Sequence, residues 1–223
     1  FGWFKVSSTS SQNYIFYHGN GGEVQVFINS GSLVAWIKTT TGYLNQLTVP
    51  VTTGQWYHYA VSFENNSAIK LYLDGSEVQS HSIGNVTLYS SGGNLTFGMS
   101  NNEDGNPFSG LIDEVAIWND ALTAAEITAL YNSGLGLSAA SNSGDYTSSA
   151  SLVGYWNFNE GTGTTLTDQT SNDNDGTISG ATWSTDVPPT SGGNNALSFD
   201  GTDDYASIVE LSTAIDNSSI TLM

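Results

Sequence analysis

Apolar residues recur at every second position in one short segment after another, and clusters of Gly, Asn, Ser and Asp separate the segments. Tyr14-Ile15-Phe16-Tyr17, Val24-Gln25-Val26-Phe27-Ile28 and Leu33-Val34-Ala35-Trp36-Ile37 are the first clear cases. A repeat of two places alternate side chains on opposite faces of an extended chain, so these segments read as half-buried strands. Tyr57 to Phe63 and Ile69 to Leu73 flank Glu64-Asn65-Asn66-Ser67, the loop of a hairpin. Asp74-Gly75 turns the chain into a further strand, and Asn94 to Met99 and Gly110 to Trp118 continue the pattern. One segment departs from it. Thr123-Ala124-Ala125-Glu126 carries the residues of a capping box, Ile127, Leu130 and Tyr131 share one helical face, and Gly134 supplies a stop. The expectation is an all-β antiparallel sandwich with one short helix.

Composition narrows the function. With 223 residues, 38% hydrophobic and 12% aromatic, the chain can bury a substantial core. Its cations are Lys5, Lys38 and Lys70 against 21 acidic residues, a net charge of −18. Nucleic-acid binding needs a basic footprint that this chain lacks, and an anionic membrane surface is disfavoured as a partner on the same ground. Any buried carboxylate must find backbone donors, a proton or a metal, because cationic side chains are so few. There is no cysteine, hence no disulfide framework and no thiolate metal site. No apolar run reaches the ~18 residues of a membrane span.

Residues 135–150 are small and polar and read as a linker or a laced-down surface segment. Beyond it the chain restarts with Leu152 to Phe158, and Ala196 to Gly201 and Tyr205 to Ile208 follow. Nothing in 151–223 repeats 1–134, so the two parts are complementary. The last residues, Ser218-Ser219-Ile220-Thr221-Leu222-Met223, and the first, Phe1-Gly2-Trp3-Phe4-Lys5-Val6, join on paper into one apolar strand. This predicts one period of a tandem array: 1–134 as the later two-thirds of a domain, 135–150 as linker, and 151–223 as the first third of the next. A subunit that completes its fold with a neighbour is the alternative.

The motifs in that order resemble a family. Gly110-Leu111-Ile112-Asp113-Glu114-Val115-Ala116-Ile117-Trp118, followed by Ala121 to Ile127 and Leu130-Tyr131, resemble the closing strand and helix of laminin-G-like, concanavalin-A-like jelly-roll domains, in particular the bacterial LamG/pentraxin-type branch. Val153 to Gly161 resembles the opening strand, Asp168 to Gly176 the loop after it, and Ala196 to Gly201 the next strand and turn. Gly54-Gln55-Trp56-Tyr57-His58 and Leu73-Asp74-Gly75 fit the middle. The resemblance covers nearly the whole chain in permuted order and implies a concanavalin-A-like jelly roll. Such domains are binding, adhesive or spacer modules of secreted and surface proteins, which limits what the fold says about function.

The resemblance implies a calcium site in which a loop Asp, loop carbonyls and the Asp of the closing strand share one ion. Carried over, it points to Asp168, Asn172, Asn174 and Asp113. Counting by twos, Asp113 shares a face with Leu111, Val115 and Ile117. An inward carboxylate there needs compensation, and Ca²⁺ takes six to eight oxygens from such sources. The alternative is that Asp168 and Asn172 make Asx-turns while Asp113 accepts backbone N–H bonds. The loop is not an EF-hand: aligning Gly176 with the invariant glycine puts Ser171 first and Thr182 where Glu is required. Asp200-Gly201-Thr202-Asp203-Asp204 reads as an acidic hairpin turn. Trp36, Tyr43, Trp56 and Tyr57 are candidates for stacking on sugars, against the plainer reading that they are core.

Catalysis is not expected. Jelly-roll glycosidases place paired acids at alternate positions of a strand, whereas Asp113 and Glu114 are adjacent and, by period-2 counting, point to opposite faces. His18, His58 and His81 show no metal-ligand spacing, and no G-x-S-x-G elbow exists. The favoured reading is a non-catalytic, calcium-stabilised extracellular repeat of a bacterial surface adhesin or filament, in contact with neighbouring copies and with glycans. The alternative is a carbohydrate-binding module of a secreted multidomain protein.

Overall fold

The computed structural model describes residues 2–90, 92–100, 105–189, 193–209, 211 and 219–222. They build two antiparallel sheets. In the first, Trp56–Glu64 is flanked on one side by Ala68–Leu73 and then Ser76–Ser82. On its other side run Gly2–Val6 and Ser219–Leu222, then Ser109–Asp113 and Val115–Trp118, then Ala196–Asp200 and Leu152–Trp156, with Thr182–Ser184 outermost beside Ala196–Asp200. Three positions across this sheet are thus each filled by two strands lying end to end. The second sheet runs Thr165–Leu166, Gly176–Ser179, Tyr205–Ile208, Leu95–Phe97, Asn13–His18, Val24–Asn29 and Ser32–Thr39, with Gly42–Tyr43 and Leu47–Pro50 both on Ser32–Thr39.

The end-to-end strands include the two ends of the chain. Gly2 faces Tyr59 and Leu222 faces Val61, so the two segments follow one another along Trp56–Glu64. Phe1, Ser218 and Met223, which the joined strand would include, lie outside the described residues. Residues from 152 onward contribute strands to both sheets beside those of 2–118.

The main core lies between the sheets. Phe4, Phe16, Tyr59, Phe63, Phe97, Trp156 and Phe158 are among its largest members, and each is buried. Alternation along the strands leaves every second residue facing away from this core, and both outer faces carry apolar clusters of their own. On the first sheet that cluster contains Trp3, Tyr72, Trp118 and Tyr155, covered by Ile127 and Leu130 of the helix. The helix spans Ala124–Tyr131, with both halves of the Thr123/Glu126 capping box formed and Asn132 in the left-handed conformation at its end. It therefore ends before Gly134.

Residues 137–146 continue the cover. The Leu137 amide donates to the Leu130 carbonyl, and buried Tyr146 accepts from Trp118 Nε1 at 3.0 Å while donating to the Ala139 carbonyl at 2.8 Å. Glu126 laces the segment to the helix: one carboxylate oxygen accepts from the Thr123 amide and hydroxyl, the other from the Thr147 amide and hydroxyl and the Ser148 hydroxyl. Burial works to raise its pKa, but the donors, led by Ser148, outweigh it and hold the carboxyl below its ordinary value. Glu126→Ala is expected to cost about 2–3 kcal/mol, from a lost cap and lost charge-assisted bonds. It should also expose 135–150 to cleavage in limited proteolysis; an unchanged digestion pattern would show that the lacing is not what holds this segment.

Candidate functional site

Two places concentrate polar chemistry. The first is the break between Ser109–Asp113 and Val115–Trp118. Glu114 there has φ of 53°, a left-handed conformation that bulges the strand and advances the alternation by one residue. Asp113 is paired with Trp3, whose ring belongs to the outer cluster, whereas Val115 and Ile117 face the inner core. Period-2 counting across Glu114 is therefore corrected: Asp113 shares a face with Leu111 but not with Val115 or Ile117. The bulge also corrects the expectation that the two acids diverge, since Glu114 accepts a hydrogen bond from the Tyr155 hydroxyl on that same outer face.

Both acids are buried, Asp113 at 0% and Glu114 at 7% exposure. Burial, then repulsion from Glu114 and, more weakly, from Glu160, pushes the Asp113 carboxyl well above the usual range; the adjacent Glu114 amide offsets this only in part. Burial pushes Glu114 up to about 7 against the hydrogen bond from Tyr155. Neither Asp113 oxygen has a hydrogen-bond partner, and Glu160 Oε2 is likewise buried and unpartnered. Lys5 and Lys70 are engaged elsewhere, with Asp186 and Glu77. Unpartnered carboxylate oxygens in a dry site suit either a proton or a hard, oxygen-seeking dication. Asp113 offers two such oxygens and Glu160 one, its Oε1 being held by the Thr167 amide at 2.9 Å.

The other expected ligands gather one strand away. Asp168 sits beside Trp156, and its carboxylate accepts from the Tyr155 amide (3.0 Å), the Thr170 amide (3.0 Å), the Thr170 hydroxyl (2.8 Å) and the Asn174 amide (3.0 Å). Asn172 and Asn174 both donate through Nδ2 to the Val153 carbonyl, at 3.0 and 2.8 Å. The Asn174 carbonyl accepts from Trp156 Nε1 at 2.9 Å. Four donors fill the lone-pair positions of the Asp168 carboxylate, which is the Asx-turn arrangement. Asp168, Asn172 and Asn174 come together around the Leu152–Trp156 strand, and Glu160 joins them through the Thr167 amide, which donates to its Oε1 at 2.9 Å; Asp113 lies on the far side of that strand, beyond Val115–Trp118.

The second place is the outer face of the second sheet. A register slip between Tyr14 and Phe16 brings Tyr14 and Tyr17 to the same face, with ring centroids 5.2 Å apart. Tyr14 packs edge-on against Phe27 (5.3 Å), Phe27 against Trp36 (5.7 Å), and Trp36 stacks on Tyr43 (5.0 Å, 26° between planes). Gln25 lies among them. Its Oε1 accepts from the Tyr14 hydroxyl at 3.3 Å, and its Nε2 donates to the Tyr43 hydroxyl at 3.2 Å and the Gly22 carbonyl at 3.0 Å. Burial, then Tyr17 and Tyr43, raise the Tyr14 phenol to about 12, so it keeps its proton. Gly22 (φ 65°) has no room for a side chain, since a Cβ would fall 2.2 Å from Gln25 Nε2. Tyr43 is 45% exposed and Trp36 and Tyr17 are half-buried, giving an open aromatic ledge with amide and hydroxyl groups at its base.

Trp36 and Tyr43 of the four expected stacking residues meet on this ledge. Trp56 and Tyr57 do not: Trp56 Nε1 bonds Asp186 on the first sheet, and Tyr57 stacks on Phe4 in the inner core. Tyr14, Tyr17, Gln25 and Lys38 complete the ledge and are missed by sequence reasoning, although Tyr17, Gln25 and Lys38 each stand at alternate positions to core residues. Asp200, Asp203 and Asp204 cluster at the hairpin turn, where Asp204 accepts from the Asp200 amide and Asp200 from the Thr202 amide.

Residues 2–128 match the laminin-G-type family described as the concanavalin A-like lectin/glucanases superfamily. No curated protein matches the chain in sequence. Among solved structures, a candidate carbohydrate-binding protein from Bacteroides ovatus ATCC 8483 is 17% identical with a TM-score of 0.57, over 96% of this chain and 54% of that one. Domain 4 of AbnA, a GH43 extracellular arabinanase from Geobacillus stearothermophilus solved with arabinotriose, is 24% identical (TM-score 0.45), over 57% of this chain and 63% of that one. The binding domain of Paraclostridial Mosquitocidal Protein 1 is 17% identical (TM-score 0.45), over 59% and 36%. The chain thus spans about half the length of the first of these, and at such identities the likeness is one of fold. With more than half of its residues matched, this chain belongs to the concanavalin A-like lectin/glucanases superfamily, in its laminin-G-type family.

Proposed function

We propose that the chain is a non-catalytic extracellular module that binds carbohydrate on the outer face of its second sheet. The observation that carries this reading is the ledge of Tyr17, Trp36 and Tyr43 over Gln25. Sugars present apolar C–H faces and a rim of hydroxyls, and an aromatic ledge with fixed amide and phenol groups answers both. The candidate carbohydrate-binding protein of the same fold is consistent with it. The non-catalytic reading draws on the acid pair: Asp113 and Glu114 are buried beneath the helix-covered face, with Glu114 held by Tyr155, whereas glycosidase acids must flank an accessible bond. No helix among the described residues is long and apolar enough to cross a membrane.

Two further parts of the reading go with it. Calcium would sit at Asp113 and neutralise charge that the three lysines leave uncompensated. In a surface adhesin or filament, tandem copies would multiply a weak glycan contact through avidity.

Glycan-array screening followed by calorimetry tests the reading. Trp36→Ala is expected to weaken binding of the best glycan at least tenfold, the loss of about 1.4 kcal/mol or more at a stacking residue. Trp56→Ala, on the other sheet, should leave it within twofold. Absence of any glycan ligand, or equal loss in both variants, would sink the assignment of this face.

A further inference from the structure

We propose that the glycan received by this ledge carries an anionic group, a uronate carboxylate or a sulfate ester, and that Lys38 selects it. The proposal rests on the carbohydrate-binding reading and adds the chemical class of the sugar. Lys38 follows Trp36 by two positions on the same strand face and is paired across the sheet with Tyr43, so its ammonium lies at the end of the Trp36–Tyr43 stack.

Charge sets it apart from the other two lysines. Lys5 is 2.6 Å from Asp186 and Lys70 is 3.5 Å from Glu77. Among the described residues, Lys38 has no carboxylate at ion-pair distance. The acid of the adjoining turn, Glu23, is buried and lies 3.0 Å from His18. Lys38 Nζ instead donates to the Gly21 carbonyl at 3.0 Å and sits over two phenol rings, 4.2 Å from the Tyr89 centroid and 5.7 Å from that of Tyr43. An ammonium has three donors, and the carbonyl takes one. The rings stabilise the charge without neutralising it.

The surrounding backbone is shaped to this arrangement. A Cβ on Gly21 would lie 2.7 Å from the Tyr89 ring and 3.0 Å from Lys38 Nζ, so only glycine lets the turn close over both. The net charge of −18 opposes the approach of an anion everywhere except where a local cation compensates within a Debye length of about 8 Å. On this face that cation is Lys38. A half-buried ammonium between tyrosine rings complements an acidic sugar stacked on Trp36 and Tyr43.

Calorimetry on the whole chain with three probes tests the proposal: tetragalacturonate, a chondroitin sulfate tetrasaccharide and neutral cellotetraose. One of the acidic probes is expected to bind at least tenfold more tightly than cellotetraose, and which one it is separates carboxylate from sulfate. Lys38→Met should bring that preference below threefold, and Lys38→Arg should keep most of it. A merely structural lysine would weaken all three probes together, so the ratio between acidic and neutral binding is the decisive readout. Cellotetraose bound as tightly as the acidic probes, or an acidic preference that survives Lys38→Met, would overturn the role of Lys38 and leave the carbohydrate reading standing. Binding to none of the three would overturn both.

Discussion

Millimolar calcium is expected to raise the melting temperature of this chain by about 5–10 °C at pH 7, and Asp113→Asn should abolish the rise. A ligand at a hundred times its Kd stabilises the folded state by about 2.7 kcal/mol, and a domain of this size gains about 2–4 °C per kcal/mol. Asp113 is the group that makes the effect large, because both its oxygens are buried without partners. In the absence of a metal the cheapest compensation is a proton, which is why its pKa is driven up by burial and by Glu114. The same cause predicts a pH dependence under chelation. The folded chain keeps protons on Asp113 and Glu114 that the unfolded chain releases above about pH 4, so stability should fall as pH rises from about 4, opposed in part up to about pH 6.5 by His58, which burial keeps neutral in the folded chain. For Glu114 that fall ends near 7, and for Asp113 it continues as far as its raised pKa extends. Glu126 and Asp186, both held low, act at the acid end instead: their contribution is lost as pH drops below about 4. Calcium would keep Asp113 ionised and flatten its share of the slope. Thermal melts from pH 4 to 8, with calcium and with chelator, read both effects. Superimposable curves would remove the metal from the proposal, and a stability that climbs between pH 5 and 7 under chelation would contradict the account of the buried acids.

Trp156→Ala is expected to cost about 5 kcal/mol and lower the melting temperature by 10 °C or more. The indole is fully buried between the sheets, edge-on to Phe97 at 5.4 Å, in the strand paired with Val115–Trp118. Emptying such a site costs about 3–5 kcal/mol, and the Asn174 carbonyl, deprived of its 2.9 Å partner, adds a further penalty of about 1–3 kcal/mol. Trp156→Phe keeps most of the packing and loses the hydrogen bond, so a cost of about 1–3 kcal/mol is expected there. Urea denaturation measures both. The contrast between the two variants separates packing from the tie to the 168–176 loop. A cost below about 1 kcal/mol for Trp156→Ala would mean that this strand and loop are not anchored through the indole.

How far the sequence could be read follows from the range of each interaction. The Thr123–Glu126 capping box involves neighbours three residues apart, so the helix start is legible; its end differs because Asn132 already takes the left-handed turn two residues before Gly134. Strands with unbroken alternation, such as Ser32–Thr39, are legible with their faces. The errors arose where alternation slips. Glu114 and the irregularity after Tyr14 each insert one residue, and a single insertion moves every later side chain to the other face. A count by twos therefore puts Asp113 on the inner face and Tyr14 and Tyr17 on opposite faces.

The family was legible because its motifs are runs of consecutive residues, and so were the strand class and the scarcity of cations that makes a buried carboxylate conspicuous. The two sites were not, because each is assembled across strands whose order no local pattern encodes. The ledge needs Gln25 beside Tyr17 and Trp36, and Tyr43 beside Lys38. The acid centre needs Asp113 next to Trp3 and Glu114 within reach of Tyr155, 41 residues on. Tertiary pairing also decided which lysine is left without an acid, since Lys5 finds its partner 181 residues away at Asp186. Alternation tells which side chains leave a strand on the same side; only the pairing of strands tells which of them meet.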